Sequence, residues 1–154
     1  MRLSTKSRYG VRAIFDIAYH SGGLPTQIKE ISRRQGVTPR YLEQIFQKLK
    51  RAGIVKSIRG PKGGYYLARK PGNIAVSDVI RAMEESIEPV FCARPPKGRK
   101  RCRRESRCVA QLVWREVGQR MVDYLDSMSM EKLCEMAKQL GIEKQLDHRF
   151  MYFI

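Results

Sequence analysis

Cys92, Cys102 and Cys108 lie within 17 residues, and the stretch 94–107 around them carries eight Lys or Arg against one Glu. Thiolates grouped this way bind soft metals or undergo oxidation. Nine and then five residues separate the cysteines, with no Cys-x2-Cys pair of the kind a zinc ribbon uses, so structural zinc is disfavoured. Three thiolates can hold an iron–sulfur cluster, 2Fe–2S or 4Fe–4S, when a fourth ligand comes from elsewhere. The surrounding cations would offset the charge of such an anionic cluster. The other reading is a basic loop with incidental reduced cysteines that touches a polyanion. Spacing alone leaves both open. Cys134 falls in an amphipathic pattern and reads as a packed thiol.

A second set of residues has the chemistry of base-edge and phosphate contact. Between Thr38 and Arg51, Leu42, Ile45, Phe46 and Leu49 form an apolar stripe, which leaves Arg40, Tyr41, Gln44, Gln47, Lys48 and Arg51 facing outward. Gln44 can pair bidentately with adenine, Arg40 can read guanine, and Tyr41 can touch a thymine methyl or a phosphate. Lys48 and Arg51 suit phosphates, which position a protein without specifying sequence. Glu43 would repel phosphate, but it can accept from a cytosine amino group or act as a negative filter. Taken alone, this is also how the solvated face of any helix looks. The adjoining hairpin shifts the balance: Ile54–Ile58 and Tyr65–Ala68 read as strands around Gly60-Pro61-Lys62-Gly63-Gly64. Arg59 at that tip can enter a minor groove, with Gly60 and Pro61 shaping its backbone. The tip lacks a Gly-Lys-Ser/Thr ending and leads into a strand, which argues against a nucleotide-phosphate loop.

Other elements must position these groups. A first helix begins near Ser4, with Tyr9, Ala13, Ile14, Ile17 and Ala18 at helical spacing. Thr26 is placed to cap a short second helix that Gly36 closes in left-handed backbone, and Thr38 and Pro39 start the third. Helix, turn, helix and hairpin in that order describe a winged helix-turn-helix. A short helix over 76–85 comes next, then the irregular cysteine segment. A long helix over 109–128 carries Ala110, Val113, Val117, Met121, Tyr124 and Met128 on one stripe, widened by Leu112, Trp114 and Leu125; so broad an apolar face points to another subunit. Ser129 caps a last amphipathic helix that ends at Gly141, and the apolar ending 148–154 has no evident place. The expected class is mainly α. It divides into a DNA-binding winged helix over 1–70, a linker and short helix over 71–91, a sensor loop over 92–108, and a dimerisation helix with C-terminal helix and tail over 109–154.

The formal net charge is +16, but it is unevenly spread: residues 1–70 sum to +13, residues 94–107 to +7, and the remainder to −4. Two basic regions on a mildly acidic scaffold predict a polyanion partner, double-stranded DNA first. No segment pairs a basic face with a broad exposed apolar one, and no apolar run reads as a membrane span or signal peptide, so the expectation is a cytoplasmic protein with no membrane partner and reduced thiols. With two histidines and no nucleophile–base motif, no reaction can be assigned; Cys134 with His148 is the one candidate pair, and the core-like helix stripe around Cys134 argues against it.

Three stretches, MRLSTKSRYGVRA, TPRYLEQIFQKLKRAGIVKSIRGPKGGYYLAR and CVAQLVWREV, resemble the IscR-type family of bacterial regulators over roughly residues 1–130. The resemblance implies a homodimer joined by the long helix, with iron–sulfur, nitric-oxide or redox sensing in some members. It matches Tyr41, Glu43 and Gln44 to recognition-helix residues, Arg59 and Gly60 to the wing contact, and Cys92, Cys102 and Cys108 to cluster cysteines. Two departures stand out. The first two cysteines are spread by a basic insertion, and the positions of known fourth ligands hold Gln111 and Arg8, leaving Glu105, His148 or Cys134 as substitutes. The expected function is therefore a transcription regulator, a repressor, whose DNA affinity depends on a cluster or on thiol redox state. A small iron–sulfur electron-transfer or cluster-carrier protein is the alternative, which leaves the helix-turn-helix unexplained.

Overall fold

The computed structural model describes residues 3–93 and 102–146. Helix α1 (Thr5–His20) starts where Ser4 accepts the Ser7 N–H, and it is followed by α2 (Ile28–Gln35) and α3 (Pro39–Arg51). Gly36 closes α2 with φ 64°, as its position predicts. Strands β1 (Val55–Ile58) and β2 (Gly64–Leu67) pair antiparallel, with Val55 opposite Leu67 and Ile58 opposite Gly64. Then come α4 (Val76–Ala82), α5 (Val109–Ser127) and α6 (Met130–Gln139), the last capped by Ser129 as expected.

Two capping expectations are corrected. Thr26 does not cap α2. Its N–H and C=O both pair with Tyr65 at 2.8 Å, so it serves as a short third partner of the wing, and Gln27 takes the cap position. Its Oγ1 is consequently buried with no hydrogen-bond partner. Thr38 does stand at the cap of α3, but only its carbonyl is used, by the N–H groups of Tyr41 and Leu42. The bridge from Thr26 to the wing also explains Gly64, where a Cβ would lie 2.5 Å from the Thr26 carbonyl oxygen. No side chain fits between backbones this close.

Ile14, Ile17, Ile31, Leu42, Ile45, Phe46 and Leu49 form the helix-turn-helix core, and Ile54, Val55, Ile74, Val79 and Met130 complete it. Each such side chain, fully removed from water, contributes about 1.5–3 kcal/mol. Helices α4 and α6 therefore share the core of α1–α3. Backbone pairing locks their starts together: the Val76 N–H donates to Met128 O at 2.8 Å and the Met130 N–H to Ile74 O at 2.9 Å. Helix α4 ends three residues short of expectation, because Glu84 adopts left-handed backbone with φ 63°. Asp126 of α5 reaches back to Ser77 and, at 2.9 Å, to Arg81 of α4.

Residues 142–146 lie along α1. Tyr19 donates to the Ile142 carbonyl at 2.6 Å, and the Gln145 N–H donates to Nδ1 of His20 at 2.9 Å. His148 and the rest of the apolar ending fall outside the described residues. Burial lowers the pKa of His20 below its ordinary 6.5; Asp16 opposes this, while Arg34 and Lys144 reinforce it. The unfolded chain thus takes up the proton first as pH falls. Stability linked to His20 is complete above pH 6.5 and is lost as the pH falls through the lowered folded value. The thermal midpoint should drop on acidification in this range, and less so in His20→Gln; superimposable pH profiles for the two proteins would contradict the contact. Among the described residues, no helix is long and apolar enough to cross a membrane.

Candidate nucleic-acid interface and cysteine loop

With Leu42, Ile45, Phe46 and Leu49 turned into the core, α3 leaves Arg40, Glu43, Gln44, Gln47 and Arg51 exposed. Tyr41 is half-buried. Its ring meets Tyr9 edge-on at 5.9 Å, and the Arg12 guanidinium lies 5.1 Å above Tyr9. The phenol is therefore held from behind before any partner arrives. Lys48 is also half-buried and forms an ion pair with Glu84. Tyr41, Gln44, Gln47, Lys48 and Arg51 line one small hollow of about 140 Å³ together with Lys6 of α1.

The wing presents Arg59, Gly60, Pro61 and Lys62 at an exposed tip. Three ties fix it to the helices. Lys50 of α3 donates to Ser57 at 2.7 Å, Gln27 donates from Nε2 to the Pro61 carbonyl at 3.3 Å, and Thr26 pairs with Tyr65. Tyr65 packs on Phe46 with centroids 4.4 Å apart, and burial together with the charge of Glu43 raises its phenol above the ordinary pKa of 10.0. The sequence-predicted residues of α3 and the wing thus sit on adjoining elements. Gln27, Lys6 and Glu84 were missed. No periodicity marks them, because each acts through a contact distant in sequence.

At the other end, Cys92 sits half-buried in the 3-10 turn Phe91–Ala93, and its carbonyl accepts from Gln111 Nε2 at 2.9 Å. Cys102 is exposed, and Cys108 is half-buried at the start of α5. These last two line an open hollow of about 650 Å³ with Arg103, Arg107, Arg115 and Gln111, and Cys92 is not part of its wall. Three thiolates suit an iron–sulfur cluster in donor type; among the described residues, no three His, Cys, Asp or Glu side chains stand together as a metal site. Gln111, which occupies a fourth-ligand position in the family resemblance, is buried and ties α5 to the Cys92 turn. The Glu105 side chain and His148 lie outside the described residues. Cys134 is half-buried on α6, which packs on α1, and burial pushes its thiol pKa up, in keeping with a packed thiol.

A family model described as Rrf2, iron-dependent transcriptional regulator, matches residues 3–136. The chain belongs to the Rrf2 family. It is 40% identical over 147 residues to the HTH-type transcriptional regulator IscR of Xenorhabdus nematophila, covering 96% of this chain and 87% of that one. Among solved structures, IscR of T. potens superimposes with a TM-score of 0.73 at 36% identity over 94% of each chain. CymR (YrzC), described as the global cysteine regulator of B. subtilis, gives 0.71 at 34% identity, covering 88% of this chain and 98% of that one. The matched family and the Xenorhabdus relative are described as transcriptional regulators, and the expected fold, mainly helical with a two-stranded winged helix, is the one observed. In this Rrf2 chain, α5 buries only Gln111 and Gly118. It exposes Val109, Leu112, Val113, Trp114, Val117 and Tyr124, with Leu112 64% accessible.

Proposed function

We propose that the protein is a homodimeric repressor that binds double-stranded operator DNA in the cytoplasm, with affinity set at Cys92, Cys102 and Cys108 by an iron–sulfur cluster or by thiol redox state. The observation that carries the DNA reading is the exposed polar face of α3 fixed beside an exposed basic wing. Gln44 and Arg40 are the base readers, Glu43 screens bases, and Thr38, Tyr41, Lys48 and Arg51 engage the backbone or nearby methyls. Arg59, Gly60 and Pro61 meet the adjacent groove. Residues 1–70 form the reading unit, 71–91 the link, 92–108 the sensor, and 109–154 the dimerisation and tail region. The apolar face of α5 supports the dimer, since water-exposed apolar area of this extent marks an interaction site. Two copies would place their α3 helices on half-sites about 34–36 Å apart. The sensor residues end at the cap of α5, so their state bears directly on that spacing.

The test is DNA binding by protein purified without oxygen, comparing wild type, Gln44→Ala and Cys102→Ala on operator and random duplex. Gln44→Ala should lose about 1–3 kcal/mol on operator at one base position and little on random DNA. Cys102→Ala should change operator affinity and, where a cluster is the sensor, abolish visible absorption, iron and sulfide. Equal losses on both duplexes for Gln44→Ala would refute the base-reading role. Wild-type operator affinity in Cys102→Ala would refute the sensing role.

A further inference from the structure

We propose that Lys6, Lys48 and Arg51 form a seat for one DNA backbone phosphate, and that Glu84 fills this seat in the DNA-free protein. The inference rests on the reading that α3 faces DNA. Lys6 comes from the first turn of α1, and Lys48 and Arg51 stand one turn apart on α3; together they line the hollow beside the base-reading Gln44. Glu84 reaches this cluster from the end of α4 and accepts from Lys48 Nζ at 2.5 Å. The Lys48 hydrogen bond and charge, with lesser help from Arg51 and Lys6, hold its carboxyl below its ordinary 4.5. The carboxylate thus pairs with Lys48 at the edge of the hollow and feels the charges of Arg51 and Lys6, as a phosphate oxygen there would.

Two further observations separate this from an accidental surface pair. Glu84 is the one non-glycine residue with left-handed backbone among the described residues, at φ 63°. That conformation is disfavoured for glutamate, whose side chain does not bond its own backbone there as Asn or Asp can. The end of α4 holds it, through the Glu84 N–H on the Arg81 carbonyl at 2.9 Å and the Glu85 N–H on the Ile80 carbonyl at 3.5 Å, and this fixes the point from which the Glu84 side chain reaches Lys48. The next residue, Glu85, accepts from the Ser4 N–H at 3.1 Å and from Ser7 Oγ at 2.5 Å, so two successive carboxylates bind α3 and the start of α1. The pair is also displaceable. The Glu84 side chain is 79% exposed, and solvated ion pairs are weak, whereas a phosphate brings more acceptors to the same cations. Cys92 comes only eight residues later, through buried Ile87 and through Pro89, which packs on Gly118 of α5. A change at the cysteine segment therefore has a short covalent path to the seat.

The experiment compares full-length wild type, Glu84→Gln, Lys48→Ala and the double variant on operator and random duplex. Removing the competitor should tighten binding of Glu84→Gln about three- to tenfold on both duplexes, because a phosphate contact carries no sequence information, while Lys48→Ala, which loses the contact, should flatten the slope of log affinity against log salt by about 0.9. In the Lys48→Ala background the gain should largely vanish. Carbon-detected titration of the Glu84 carboxyl should show the lowered pKa without DNA, and its return toward the ordinary value in Lys48→Ala. Unchanged affinity in Glu84→Gln, a gain fully kept without Lys48, or an unchanged salt slope in Lys48→Ala would overturn the proposal, as would an ordinary titration in wild type. If Glu84→Gln is silent while Gln44→Ala still loses operator discrimination, the phosphate seat fails and the DNA reading stands.

Discussion

Asp16→Ala should destabilise the protein by about 3–5 kcal/mol, among the largest losses expected of any single truncation in the chain. Asp16 is completely buried in α1, and the side chain of Arg34 in α2 is 3% accessible. The guanidinium donates to both carboxylate oxygens, at 2.7 Å from one nitrogen and 3.0 Å from Nε, and Gln35 adds a third donor at 2.8 Å. Removing the carboxylate leaves Arg34 as a buried charge supported by Glu30 at 3.6 Å and the Gln145 carbonyl at 3.4 Å. Replacing both partners with apolar residues of similar volume should recover most of the loss, since the penalty comes from the stranded charge more than from the missing attraction. Urea unfolding of Asp16→Ala and of a paired Asp16→Leu, Arg34→Met variant checks both points. A loss within about 0.5 kcal/mol, the range of ordinary surface changes, would show that the pair is not as desolvated as the packing indicates.

Val113→Glu should convert the proposed dimer to a monomer and weaken operator binding by about 10²–10⁴, the range over which linking two binding events raises affinity. Val113 is 54% accessible and lies with Leu112 and Val117 around a groove of about 450 Å³ on α5. A second groove, lined by Tyr9, Val11, Val76, Ile80 and Leu125, gives a partner helix further apolar surface to cover. Folding of the single chain should change little, because Val113 adds almost nothing to its own core. Sedimentation velocity, with anisotropy on full and half operators, separates the effects: half-site affinity should persist while full-site affinity falls. A dimer that retains full operator affinity would move the subunit contact to another face.

The elements of the reading unit were legible because local chemistry and tertiary role agree there. Leu42, Ile45, Phe46 and Leu49 repeat at helical spacing, Gly36 and Pro39 punctuate the turn, and the glycines between Arg59 and Tyr65 mark the hairpin. What escaped the sequence depends on long-range contact. Thr26 has the right type and place for a cap, but a strand partner 39 positions later claims its backbone. Lys48 reads as an outward cation, yet its ion-pair partner is Glu84, 36 positions away. The segment 142–146 docks through backbone groups on Tyr19 and His20, and such contacts leave no pattern in residue type. The cysteines were legible as a group by composition, while their positions in space depend on the turns at 91–93 and 105–107 that no periodicity announces.

The ties of Thr26 to Tyr65, Gln27 to Pro61 and Lys50 to Ser57 join α2, α3 and the wing into a single reading head. Such a head works like a stamp with two fixed characters: the offset between groove-reading helix and flanking wing cannot be tuned by a signal without breaking these bonds. In the proposed dimer, a signal can alter how two such stamps are aligned or how firmly each one presses. Its base preferences within a half-site should therefore be the same in every sensor state, and selection experiments on oxidised and reduced protein should return one half-site motif with different spacing tolerance.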